Sequence, residues 1–178
     1  ATYAQTHANT TDSAVKGVLD DWYEDNLKTN YSSYLADAGF CNDRSLVNQY
    51  YNGYADNEST YYGGYTRVTE KKPSLICPNT ANDLFTLSGN TKGNQELTYP
   101  IGLLVVDELL MAGVVNNYLN NLVYTNFSGA FLTMTPLQYN VSSTAAKIWF
   151  GQSSGRLDYG SVSSVAYVRP VINLKGDT

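Results

Sequence analysis

The chain has 178 residues, enough for one domain with a real core. Charged residues make up only 15%, and the formal net charge is -5, with no basic stripe of the kind that nucleic acid requires. No apolar run approaches the ~20 residues of a membrane helix, so neither nucleic-acid binding nor membrane insertion by this segment is expected. The compositional outlier is tyrosine, with 16 residues. Tyrosine offers large, stiff, amphipathic contact area with few torsions to freeze.

Residues 1 to 11 are polar and read as extended. The only histidine, His7, lies there. Asp12 or Ser13 is placed to cap a helix. The apolar positions Val15, Val18, Leu19, Trp22, Tyr23 and Leu27 follow at helical spacing, and the helix is expected to end around Lys28 to Asn30. Asp20 and Asp21 are adjacent, so they do not face one another on a helix. They read as a solvated face and not as a catalytic pair.

From Tyr31 to Leu97 the pattern is irregular. It contains the motif Phe40-Cys41-Asn42-Asp43-Arg44, a Gly63-Gly64 pair that reads as a turn, and the pair Lys71-Lys72 ahead of Pro73, which reads as a solvated loop. Leu75-Ile76-Cys77 reads as a short buried strand and Leu84 to Leu87 as another. Cys41 and Cys77 are the only cysteines. In a Tyr/Asn/Ser-rich, Lys-poor chain they suggest one disulfide in an oxidising compartment, with two buried free thiols as the alternative. A cross-link would explain how so long a stretch without regular structure stays ordered.

Leu97 to Val106 reads as chain entering a buried strand. A second helix then begins at Asp107-Glu108 and stops at Gly113, and the two acids have a structural explanation as partners of the helix dipole. Residues 116 to 129 read as a polar loop. The rest, from Phe131, reads as a terminal sheet with runs at Phe131 to Thr135, Ala145 to Phe150 and Val165 to Leu174, and a turn at Ser154-Gly155 before Arg156 to Tyr159. Between Glu108 and Arg156 the only charged side chain is Lys147. Such a neutral, aromatic and amide-rich stretch suits contact and not ionic chemistry. No repeat or linker interrupts the chain, and residues 1–178 are read as one domain.

A set of motifs spread along the chain carries a resemblance. Lys16, Asp21-Trp22-Tyr23, Phe40 to Arg44, Gly64-Tyr65-Thr66-Arg67, Pro73 to Cys77, Leu97 to Leu103, Asp107-Glu108, Ala112-Gly113, Thr133-Met134-Thr135-Pro136 and Val168 to Leu174 follow one pattern. In these the sequence resembles a group of bacterial surface domains. The departures are Leu132 where the pattern favours Trp, Thr135 for Ser, and Tyr167 for a Gly before Val-Arg-Pro. The resemblance implies an α+β, C-type-lectin-like fold, similar to formylglycine-generating enzymes and to the variable proteins of diversity-generating retroelements. In that fold two helices flank a small twisted antiparallel sheet with long ordered loops, and C-terminal strands carry the ligand-contacting side chains.

The function expected is a cell-surface, adhesin- or receptor-type binding domain, here an excised ectodomain. Its ligand would be a protein or a glycan. Its expected contact residues are Tyr124, Asn126, Phe127, Phe131, Gln138, Tyr139, Asn140, Trp149, Tyr159 and Tyr167. Arg169 is expected to be structural, with Asp43 or Asp107 as its partner, because a guanidinium in a fixed strand can satisfy several acceptors at once. The alternatives are the structural head of a pilin-like or anchored surface protein, and an enzyme of the formylglycine-generating kind. Enzymatic chemistry lacks a nucleophile with a positioned base, and both cysteines come early in the chain. No cofactor is expected. No zinc ligand set is present, nor a calcium loop; Asn42-Asp43 and Asp56-Asn57 read as turn residues.

Overall fold

The computed structural model describes residues 12–47, 59–87, 95–116 and 129–176. Helix α1 spans Ala14–Asn26, and Ser13 caps it by accepting a hydrogen bond from the Lys16 backbone N–H at 3.2 Å. Leu19 and Tyr23 are buried, flanked by the partly buried Val15 and Leu27. The buried seam is thus a single i, i+4 row. Val18 and Trp22, which the sequence pattern places on the same stripe, are exposed. The helix touches β5 (Ile101–Leu103), a three-residue strand, and so narrow a contact leaves the edges of the stripe uncovered. Tyr23 also stacks on Tyr99 at 4.6 Å between ring centroids.

A short helix α2 (Lys28–Tyr31) and a 3-10 turn (Ser32–Tyr34) lead to β1 (Phe40–Cys41). After β2 (Thr60–Tyr61) comes α3 (Gly63–Glu70). Here the structure departs from the sequence reading, which made Gly63-Gly64 a turn. The two glycines open a helix instead. A Cβ on Gly64 would stand 2.5 Å from the Thr135 methyl, and one on Gly63 would stand 2.5 Å from Ser45 Oγ. Glycine therefore lets the helix start lie against the sheet. Lys71, in the left-handed region at φ 57°, ends it.

Residues 74–77 form no strand. Leu75 and Ile76 are exposed at 62% and 77%, and the segment is held at its ends by the Ser74 N–H donating to Asp107 Oδ1 and by the Cys77 disulfide. Helix α4 (Thr80–Asp83), β3 (Leu84–Leu87) and β4 (Gln95–Leu97) follow, and the order β1-β3-β4 makes a small sheet with β3 and β4 parallel.

Helix α5 covers Val106–Met111. Its Glu108 carboxylate reaches back to accept from the Val105 N–H at 2.9 Å, and the Val106 N–H donates to Thr135 Oγ1 at 3.0 Å. Gly113, at φ 85°, ends it. The Gly113 N–H returns to Leu110 O and the Val114 N–H to Leu109 O, both at 2.9 Å.

The main sheet contains β6 (Val115–Asn116), β7 (Phe131–Asn140), β8 (Ala145–Gly151) and β9 (Arg156–Ser161), in the order β2-β7-β8-β9-β6. Only the β6–β9 pairing is parallel. The expected β8–β9 hairpin is present, with Gly155 at φ 74° in its turn. The last expected strand is mostly absent from this sheet. Only β10 (Pro170–Ile172) forms, and it pairs with β5. Tyr167 touches the sheet through one isolated parallel bridge to Phe131.

Neighbouring residues of a strand point to opposite faces, and β7 and β8 use this to separate two cores. Phe131, Leu137 and Trp149 join Val68 of α3, Val106, Leu109 and Leu110 of α5, Val114 and Leu157 on one face. Leu132 and Phe150 join Leu19, Tyr23, Leu35, Ile101 and Leu103 on the other. The protein is therefore a mixed α+β structure, with α3 and α5 on one side of the main sheet and α1 with β5 on the other.

Candidate recognition face

Two of the ten expected contact residues are well exposed. Tyr159 is 52% and Tyr167 61% exposed. Tyr159 lies on β9 opposite Trp149 of β8, and the edge of one ring meets the face of the other at 6.0 Å. The Lys147 ammonium sits 5.4 Å from the centre of the Tyr159 ring, a cation–π contact. Tyr167 is fixed by its backbone: its N–H donates to Ala130 O at 2.9 Å, and its carbonyl accepts from the Leu132 N–H at 3.0 Å. Its ring fills the space beside Gly129, where a Cβ would stand 2.3 Å from the ring edge. Val165, two residues before Tyr167 in the chain, is fully exposed. The side chains of Ser161 and Ser163 bond one another at 2.8 Å, and Lys147 and the Arg156–Asp158 pair bring charge to the Tyr159 end.

The remaining expected contacts fall elsewhere. Tyr124, Asn126 and Phe127 lie outside the described residues. Phe131 and Trp149 are each 1% exposed and belong to the core under α3 and α5. They are packing residues, because the alternation of β7 and β8 turns them inward. Tyr139 and Gln138 are buried as well, at positions where β7 is covered by β2 on one side and β8 on the other. Asn140 is half-buried, and its carbonyl oxygen accepts from the Ser143 N–H at 3.1 Å, closing the β7–β8 turn.

Arg169 is also corrected. Neither Asp43 nor Asp107 is its partner. Its guanidinium lies over the Phe131 ring at 4.2 Å, and burial pushes its pKa down. The two carboxylates belong to Arg67, a residue that the family pattern includes but that sequence reasoning gave no role. Arg67 Nε donates to Asp107 Oδ1 at 2.7 Å, Nη2 to Asp107 Oδ2 at 2.9 Å, and Nη1 to Asp43 Oδ2 at 2.6 Å. Burial disfavours its charge, but the hydrogen bonds that Asp107 and Asp43 accept from it outweigh this and raise its pKa. Nearby, Arg44 pairs with Asp83 at 2.7 Å. The available sequence signal was that Arg67, Asp43 and Asp107 all fall within the motifs that carry the resemblance.

Cys41 and Cys77 form a disulfide. Among the described residues no group of three or more His, Cys, Asp or Glu side chains could hold a metal ion, and no helix is long and apolar enough to cross a membrane. Comparison of the chain with protein-family models, with curated proteins and with solved structures returns no match.

Proposed function

We propose that the chain is a ligand-binding domain of a cell surface, with a C-type-lectin-like fold, and that it contacts its ligand through exposed tyrosines. The observation that carries this reading is the pair Tyr159 and Tyr167. Both rings stand more than half exposed on backbone that is pinned to the main sheet. Binding surfaces favour such rigid aromatic anchors because little side-chain freedom is lost on contact. A disulfide supports an oxidising location outside the cytoplasm. The Tyr at position 167, where the related pattern carries Gly, supports membership among the variable proteins of diversity-generating retroelements.

The test is a screen of the purified domain against glycan and protein arrays, repeated with Tyr159→Ala/Tyr167→Ala. An anchor pair of this kind should cost binding about thirtyfold or more with the fold intact. A ligand bound equally well by the double variant sinks the assignment of the face. For the retroelement reading, a template repeat beside the gene, differing at the codons of these tyrosines, is the expected finding. A gene without repeat and reverse transcriptase overturns that part alone.

A further inference from the structure

The second core is incomplete. Between α1, β5 and the β7–β8 hairpin lies a cavity of about 370 Å³, within the size range of small-molecule sites. Its apolar wall comes from Leu19 of α1, Ile101 of β5, Leu132 and Met134 of β7 and Ile148 of β8. The space opens to solvent at its rim. Here the walls are tied: the Met134 N–H donates to Leu104 O at 2.8 Å, and Ile148 sits within the β7–β8 and β8–β9 ladders. The space is thus built into the sheet and not left by a loose side chain.

The polar groups around it define the ligand. Asn42 and Gln138 line the cavity and bring amides that can donate or accept. Among the described residues, four charged ones border it: Asp12, Lys16, Glu96 and Lys147. Lys16 is bonded to Asp20 one turn along α1, and the Lys147 ammonium lies over the Tyr159 ring, so the charges stand at the rim and the interior is apolar with amide groups. Placing a charge of either sign against the apolar wall would carry a desolvation cost. We propose that this cavity is a binding site for an uncharged small molecule with an apolar body and a hydrogen-bonding end. It is separate from the tyrosine face and does not depend on it.

The probe is N-phenyl-1-naphthylamine, an uncharged apolar dye, titrated into the full chain and followed by fluorescence. Saturable one-to-one binding is expected, with displacement by octan-1-ol. Octanoate at pH 7 should compete at least about tenfold more weakly, the order set by a charge brought against an apolar wall. Met134→Trp should abolish the dye signal by filling the cavity. Val162→Trp, at an exposed position in the cavity wall, should weaken it without touching the core, and serves if Met134→Trp fails to fold. Absence of saturable binding, or binding unchanged in a folded filling variant, overturns the site. Octanoate competing as well as octan-1-ol overturns the ligand class.

Discussion

Replacing Arg67 by alanine should be among the most damaging single changes outside the cores. Arg67 is the only cation that the ion-pair geometry gives to Asp43 and Asp107 among the described residues, and their side chains are just 6% and 3% exposed. Three charge-assisted hydrogen bonds of 2.6 to 2.9 Å disappear with it. Each such bond is worth about 1.5–3 kcal/mol in isolation, but they share two acceptors and are not additive. Asp43 keeps the Ser45 N–H and Asp107 keeps the Ser74 N–H, both at 2.9 Å, so the carboxylates are not stripped completely. Breaking a buried pair by removing one partner typically costs about 3–5 kcal/mol, and that range applies here. At about 2–4 °C per kcal/mol for a domain of this size, the melting temperature should fall by very roughly 6–20 °C. Urea unfolding followed by circular dichroism measures the loss, and a triple variant Arg67→Met/Asp43→Asn/Asp107→Asn should recover much of it by removing the stranded charges. The sign of the pH dependence follows from the raised pKa of Arg67. Its contribution is complete below the unfolded-state value and lost only as pH rises through the folded value, so it is flat through the neutral range. A loss below about 1 kcal/mol for Arg67→Ala, of the size seen for exposed pairs, would refute the view that this node ties α3 to α5.

The disulfide closes a separation of 36 residues, and the chain-entropy model puts its loss at about 4 kcal/mol. Cys41→Ala/Cys77→Ala should lower the urea midpoint accordingly, and an unchanged midpoint would mean that the fold does not depend on this cross-link. Gly151→Ala should destabilise by about 1–3 kcal/mol, because the new methyl would stand 2.0 Å from Phe131 Cζ; a neutral result in thermal unfolding would show that the ring yields easily. Gly113→Ala should cost about 1 kcal/mol through its φ of 85°, read by denaturant titration, and a stabilised variant would contradict the assigned helix stop. Ser13→Ala removes the α1 cap and should cost about 1 kcal/mol, detectable in the same titration; no change would mean that the helix start draws its order from Leu19 and Tyr23 alone.

The elements that the sequence made legible are those whose signals are local. The α1 seam repeats every four residues, α5 begins with acids and ends in glycine, and the β8–β9 turn carries Ser154-Gly155. The misread elements depend on distant partners. Gly63-Gly64 carries the composition of a turn, and only the Thr135 methyl behind it explains why a helix starts there. Leu75-Ile76 has the composition of a buried strand, yet the segment is fixed at both ends by a hydrogen bond and a disulfide, so its apolar side chains need not be covered. The terminal Val165 to Leu174 run was legible as extended chain, but its pairing with β5 rests on a contact some seventy positions away, Ile172 with Ile101.

The same limit governed the site. Trp149 and Tyr159 are direct cross-strand partners, so they share one face of the sheet, yet one is buried and the other half exposed. The difference arises because α3 and α5 cover the sheet around Trp149 and stop short of Tyr159. No property of either residue encodes where that cover ends. Composition therefore could not separate the exposed aromatics from the packed ones, since both have identical sequence signatures. Position 167 is the exception. Gly129 faces its ring closely enough that no side chain fits there, so the tyrosine is seated against backbone while more than half of it remains in solvent. A ring held this way has already lost much of the freedom that binding would otherwise take from it, which makes Tyr167 the residue of the proposed face most prepared for contact.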